Sequence, residues 1–448
     1  MNGDRVEQVQ SKPGLLAALK RHPPGLWFFF WGEFAERCSY YGMRAILLRY
    51  MAEQLGLGDE LASKGMSYFV AGCYLLPLAG GYIADNFFGK YWTIVGFSIP
   101  YILGHVILGV ESTPFLIAAL VLLAMGSGVI KPNISTLMGL TYDQWRPGQE
   151  KLRSDAFAIF YGAINVGAAI SSFAMPLIRT RYSYSTAFLF PAALMTVSFV
   201  VFAAGKRFYG VEPPKIEKTA DERRQQAIVL RRLMGLFIVV TFFWIVFDQA
   251  ATTWTLFARD YCELNVFGYQ LESDQIQGIN PILIVLLLPP ITFLWHWLAG
   301  KGFRLRATDK MMLGFVLTAI TTGVMATAGL LTAGGDKVSI LWEVGAYLLI
   351  TCAEICISVV GLELAFTAAP GSMKGVVTAC WLLTVFLANM LNSEVTPLYA
   401  KKWMRPEWYF GGLTLLMVVV TAAFYFVAAR FNNGLEEFQA SVGDIDRV

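Results

Sequence analysis

Glu33-Phe34-Ala35-Glu36-Arg37-Cys38-Ser39-Tyr40-Tyr41-Gly42-Met43-Arg44 sets two acids and two arginines inside a run long and apolar enough to form a first membrane-crossing helix. A charge at bilayer depth costs ~2.5–3.5 kcal/mol on insertion scales, so these groups are expected to face a cavity or one another. Helical geometry favours this. At ~100° per residue, Glu33, Arg37, Tyr40 and Arg44 share a stripe about 60° wide, with Glu36 and Tyr41 at its margins. One face is thereby polar for about three turns.

The rest of the chain bears out the membrane setting. Of 448 residues, 56% are hydrophobic and only 15% charged, which excludes an ordinary soluble globule. Apolar runs of spanning length fall at about 26–51, 65–86, 92–110, 114–139, 153–178, 185–205, 234–258, 279–299, 310–333, 338–367, 374–397 and 407–430, an all-α protein with twelve transmembrane helices. Twelve crossings put both termini on one side. That side collects 23 of the 35 Lys and Arg residues, so the positive-inside rule makes it cytoplasmic. The longest polar connection, 207–233, separates a six-helix bundle at 26–206 from a second at 234–430, with cytoplasmic segments 1–25 and 431–448 outside them. Two six-helix bundles joined in this way are the major facilitator fold, in which the halves rock about a site near the midplane.

Asp85 and Lys90 in Gly81-Tyr-Ile-Ala-Asp85-Asn-Phe-Phe-Gly89-Lys90, with Gly300-Lys-Gly-Phe-Arg304-Leu-Arg306 at the equivalent turn of the second half, are expected to tie helix ends together. Trp27, Trp31, Trp295, Trp297, Trp403 and Trp408 sit near span ends, as interfacial anchors do. His22, His105 and His296 form no metal or haem spacing, and the six cysteines form no disulfide framework or paired CxxC pattern. No metal or other cofactor is expected, and nucleic acid is set aside as a partner.

Deep ionisable groups recur beyond the first helix: Lys131 before Pro132, Asp248 in Phe247-Asp248-Gln249, and Glu354 in the tenth span. With Glu33, Glu36, Arg37 and Arg44 they make four acids against three bases, an excess that suits proton binding together with a dipolar solute. Buried ion pairs that only orient helices are the plainer alternative, weakened by the spread of these groups over both halves. Lys131-Pro132 and Asn280-Pro281 put polar groups beside expected helix irregularities, which membranes tolerate only against protein or water. Asn165 could bond a ligand or a neighbouring helix.

At these residues the chain resembles the proton-dependent oligopeptide transporter family over nearly its whole length. The resemblance is carried by Glu33-x-x-Glu36-Arg37 with Tyr40-Tyr41-Gly42, Phe157-Ala-Ile-Phe-Tyr161-x-x-Ile-Asn165-x-Gly167, Gly361-Leu-Glu363-Leu and Trp381-Leu-Leu-Thr. Phe247-Asp248-Gln249 with Trp254-Thr255-Leu256, and Ala369-Pro370-x-x-Met373-Lys374, are similar to the animal members. What it implies is a proton-coupled symporter that imports di- and tripeptides across the cell membrane by alternating access, working as a monomer. By resemblance, Lys131 and Arg44 meet the peptide carboxylate, and Asn165, Asn280 and Glu354 hold its amino end. Tyr40, Tyr41 and Tyr74 supply ring and hydroxyl contacts, and Trp381 walls a side-chain pocket. Glu33, Glu36 and Arg37 couple the proton, and Arg44 with Asp248 forms the external gate.

The chain also departs from the family. Its 27-residue linker cannot hold the two extra helices of many bacterial members, and no large external domain separates the ninth and tenth spans. Cys38 replaces an aromatic residue, and Ser67 stands where animal members have histidine, leaving proton coupling to carboxylates. A proton-coupled carrier of nitrate or another small solute is the alternative on the same fold. It is disfavoured because the cavity histidine of those carriers is missing and because an acid-rich cavity suits a zwitterion better than a bare anion. A membrane enzyme would need a nucleophile–base set or cofactor ligands at depth, and none is found.

Overall fold

The computed structural model describes residues 19–212, 220–266, 268–303, 305–367 and 374–445. Most of the segment 1–25, Lys215 and Lys218 of the linker, Arg304, the Ala369-Pro370-x-x-Met373 motif and the last three residues lie outside the described residues.

The first half runs α1 (Gly25–Arg49), α2 (Gly58–Ile83), α3 (Gly89–Leu108), α4 (Thr113–Trp145), α5 (Glu150–Arg181) and α6 (Tyr184–Ala204). The second runs α7 (Ala220–Phe247), a 3₁₀ turn over Asp248–Ala251 and α8 (Thr253–Tyr261), then α9 (Ile279–Gly300) and α10 (Ala307–Leu331). It ends with α11 (Leu341–Glu354), a π turn over Ile355–Val359, α12 (Val360–Thr367), α13 (Lys374–Ala400) and α14 (Pro406–Ile445). Among the described residues ten helical runs are long and apolar enough to cross a membrane. One of them, Gly58–Leu108, would be about 77 Å long if straight, over twice a hydrocarbon core. It breaks at Gly89, whose φ of 74° is left-handed. α1 is not among these ten, being broken up by its own charges Glu33, Glu36, Arg37 and Arg44. Counting α1 and dividing that run accounts for the twelve crossings expected.

Some boundaries differ from expectation. The linker is helical from Ala220, so α7 reaches almost four turns ahead of the expected start at 234. The last helix continues to Ile445, past the expected end at 430. Lys131-Pro132 leaves α4 unbroken, because a proline removes one ladder bond but fits helical φ. Asn280-Pro281 lies in the first turn of α9, which continues the 3₁₀ turn Ser273–Gly278 without a break, because the proline removes one ladder bond but fits helical φ.

Each half packs on itself: α1 lies against α5 and α6, α3 against α4 and α6, α10 against α11 and α14. Motif glycines set the closest crossings. A Cβ on Gly42 would meet Met175 Cγ at 2.7 Å and Ser171 Cβ at 2.9 Å, and one on Gly167 would meet the Phe34 carbonyl at 3.0 Å, so both serve the α1–α5 contact. The halves meet through α2 on α13 and α5 on α9. At the proximal end, where α1 begins, Lys90 pairs with Asp85 at 2.8 Å and with Glu212 at 3.1 Å, a partner the sequence reading had not named. These bonds tie α3 to the end of α2 and to the start of the connection, and do not reach the second half. Trp27, Trp31, Trp297, Trp403 and Trp408 are exposed, as anchors facing lipid or its interface would be.

Candidate functional site

A cavity of about 300 Å³ lies between the halves. From the first half Arg37, Tyr41 and Arg44 of α1 line it, at i, i+4 and i+7, with Tyr74 of α2, Lys131 of α4 and Asn165 of α5. From the second half come Asp248, Asn280 of α9, Glu354 at the end of α11, and Trp381 of α13. Ten of the thirteen residues singled out from the sequence therefore line one cavity.

The other three stand behind it. Tyr40 is buried in the core with its ring stacked on Phe69, 6.2 Å between centroids, so the structure does not place it at the cavity wall. The polar stripe of α1 is rotated so that Tyr41, at its expected margin, faces the cavity instead. Glu33 and Glu36 are also fully buried behind Arg37. The Arg37 Nε lies 3.2 Å from Glu33 Oε1 and its Nη2 pairs with Glu36. Ser127 Oγ, from Gly126-Ser-Gly on α4, donates to Glu36 Oε1 at 3.0 Å. Arg37 is thus the link between this acid pair and the cavity.

Opposite charges face each other across the space. Lys131 has no carboxylate partner among the described residues, and its ammonium lies 4.7 Å from the centre of the Tyr74 ring. Glu354 accepts a 2.8 Å hydrogen bond from Asn280 Nδ2, which also reaches Thr351 at 3.1 Å, and no cation pairs with it among the described residues. Asn165 donates to the Tyr161 carbonyl at 3.0 Å within its own helix, so it bonds neither a neighbouring helix nor another site residue through that amide. A Cβ on Gly361 would come within 2.7 Å of Trp381, so that glycine makes room for the indole.

The distal end is closed by ion pairs between the halves. Arg44 Nη2 meets Asp248 Oδ1 at 3.0 Å, and Asn389 of α13 donates to Asp248 Oδ2 at 2.6 Å. Further out, Glu272 Oε2 takes Arg49 at 2.8 Å and Arg179 at 2.9 Å, and Asp274 lies 3.3 Å from Arg179. Arg259 holds Asp59 at 2.7 Å, and Lys401 holds Glu60 at 2.9 Å. Burial pushes the Glu272 carboxyl up, but the hydrogen bond from Arg49 and the charges of Arg179 and Arg49 hold it below its ordinary value. Beyond Arg44 and Asp248, sequence reasoning missed this network. Its signal was weak, since charges at span ends are ordinary and their partners lie up to 341 positions away, as in Lys401 and Glu60.

Comparisons with known proteins follow this geometry. The family model described as "POT family" matches residues 91–231 and 216–409. Solute carrier family 15 member 1 of Rattus norvegicus is 33% identical over 68% of this chain and 51% of its own length. The chain spans about half the length of such animal relatives. A Bacillus subtilis protein called an uncharacterized transporter, YclF, is 29% identical over 89% of this chain and 92% of its own. The solved POT family transporter PepTSo superposes with a TM-score of 0.81 and 28% identity, covering 92% of this chain and 99% of that one. A POT peptide transporter solved with alafosfalin gives 0.82 at 26% identity, covering 92% and 95%.

Proposed function

Since the chain belongs to the POT family, we propose that it is a proton-coupled symporter that imports di- and tripeptides by alternating access. It is a multi-pass membrane protein; we further assign it to the cell membrane with both termini cytoplasmic, acting as a monomer, with protons as its only coupling partner and no cofactor.

The observation that carries this reading is the pair of unneutralised charges on opposite walls of one cavity: Lys131 on the first half and Glu354 on the second. A free peptide has one charged end for each. Its carboxylate suits Lys131 with Arg44 nearby, and its ammonium suits Glu354 with Asn280 and Asn165. A ligand held by both halves binds their closed arrangement better than an open one, which is what lets it drive the transition. A bare anion such as nitrate would meet Glu354 with nothing to offer it. Tyr41, Tyr74 and Trp381 provide ring surface for side chains. Arg37 bears on both the cavity and the Glu33–Glu36 pair, so a proton arriving on that pair weakens its hold on Arg37 and changes the charge the peptide meets.

Uptake of labelled dialanine into liposomes holding the purified chain, with and without an inward proton gradient, tests the function. Blocking either peptide end removes a charge-assisted hydrogen bond, ~1.5–3 kcal/mol or roughly 10- to 150-fold in affinity. N-acetylated or amidated dipeptides that compete as well as the free dipeptide would rule this site out.

A further inference from the structure

The helix that carries Glu354 carries another carboxylate, which the peptide site does not use. Glu343 lies in the first turn of α11, about three turns from Glu354 and about 20° from it around the axis, so both share the stripe that holds Tyr347. Its neighbours Leu341 and Trp342 are exposed, whereas Glu343 is fully buried and neither carboxylate oxygen has a hydrogen-bond partner. A carboxylate at a helix end near the membrane surface can reach water at little cost. This one is turned inward.

Segments carrying Cys262 and Tyr399 lie within electrostatic reach of it. Cys262, just past α8, pairs as a short strand with Val338, and Tyr399 comes from the end of α13 with its own hydroxyl buried and unpaired. The titratable groups that feel Glu343 are Cys262, Tyr347 and Tyr399, with Lys337 exposed beyond Cys262, Asp260 and Tyr261 beyond Tyr399, and Arg44 beyond Tyr347. No cation pairs with Glu343 among the described residues. An ionised carboxylate without donor or counter-charge is costly here, and a neutral acid far less so. The same segments also carry the outer lock: Arg259 of α8 holds Asp59, and Lys401, two residues past Tyr399, holds Glu60.

We infer that Glu343 is a proton-binding site of the outer lock, filled while the outer end is closed and emptied to the outside when the ends of α8 and α13 part. This rests on the alternating-access reading. Breaking Arg259–Asp59 and Lys401–Glu60 frees the walls that keep water from the carboxyl, so the proton and the closed lock favour each other by linkage.

The test is the closed-to-open ratio of the outer end, read against pH from the distance between spin labels at Leu61→Cys and Asp336→Cys in the full-length protein. Wild type should open as pH rises. In Glu343→Gln, neutral at every pH, the slope of the logarithm of that ratio should fall by up to about one per pH unit, the mark of one linked proton. Glu343→Asp should restore it. Equal slopes in wild type and Glu343→Gln overturn the proposal while leaving alternating access standing. A distance that answers neither pH nor dialanine overturns both. Infrared difference spectra of wild type against Glu343→Asp read the acid directly, and a neutral-acid carbonyl band that does not move overturns the proposal even where Glu343→Gln fails to fold.

Discussion

Asp248→Asn is the sharpest perturbation of the gate. Asp248 offers one oxygen to Arg44 at 3.0 Å and the other to Asn389 at 2.6 Å. Asparagine has a single acceptor oxygen, so one donor loses its partner, and the Arg44 guanidinium keeps a charge that nothing balances. Removing one member of a buried pair costs about 3–5 kcal/mol. The Arg44 side chain is 15% exposed, toward the cavity, so solvent screening lowers this to about 2–3 kcal/mol. The cost falls on the outer-closed state, in which the pair is made, and shifts the closed-to-open balance by roughly 30- to 150-fold. Hydrogen-exchange mass spectrometry should show faster exchange around residues 44–61 and 248–279, up to that factor where opening limits exchange. Gradient-driven uptake should fall more than dipeptide affinity. Unchanged exchange at both segments, with unchanged uptake, would refute the gate.

Glu36→Gln and Glu33→Gln each mimic protonation of the acid pair behind Arg37, so both should abolish gradient-driven uptake in liposomes while some peptide counterflow survives; normal accumulation in both variants would move the proton carrier to Glu354. Gly42→Ala sets a methyl 2.7 Å from Met175 Cγ, an overpacking that typically costs about 1–3 kcal/mol, so the melting midpoint of the purified protein should drop. The Glu272 carboxyl is depressed in the closed structure, so its contribution to the lock is complete above the ordinary glutamate value near ~4.3 and is lost only as pH falls through the lowered one. Outer-end hydrogen exchange, corrected for intrinsic rates, should therefore show no loosening traceable to Glu272 between about pH 5 and 8, and Glu272→Gln should loosen it throughout.

What was legible in the sequence was whatever a helix decides for itself. Span positions and the six-plus-six division follow from apolar run length and loop charge, and the periodicity of α1 put Arg37 and Arg44 on one face. Tyr40 shows the limit. A stripe about 60° wide cannot say which margin faces the cavity, because that depends on how closely α1 lies on α5, and the crossing is set by Gly42 and Gly167, 125 positions apart. The outer lock was illegible for a related reason. Arg179 and Glu272 stand at span ends, where a charge facing water needs no explanation, and only the docked halves reveal that each is the other's partner.

The burial of Glu33 and Glu36 behind Arg37 bears on how the proposed coupling would work. Were they in the cavity, a proton and a peptide ammonium could compete for the same carboxylates. Behind Arg37 they cannot touch the peptide, and their protonation reaches it only through the guanidinium, which lines the cavity on one side and pairs with both acids on the other. With the pair ionised, Arg37 is held by two carboxylates. With one of them neutral, the guanidinium carries more uncompensated charge, and the cavity beside Lys131 becomes more attractive to a peptide carboxylate. Under the proposed symport, proton first and peptide second is then the expected order of binding. The same argument makes loss of Arg37, like neutralising either acid, expected to uncouple the two sites, with Ser127 of α4 positioning Glu36 beside the guanidinium.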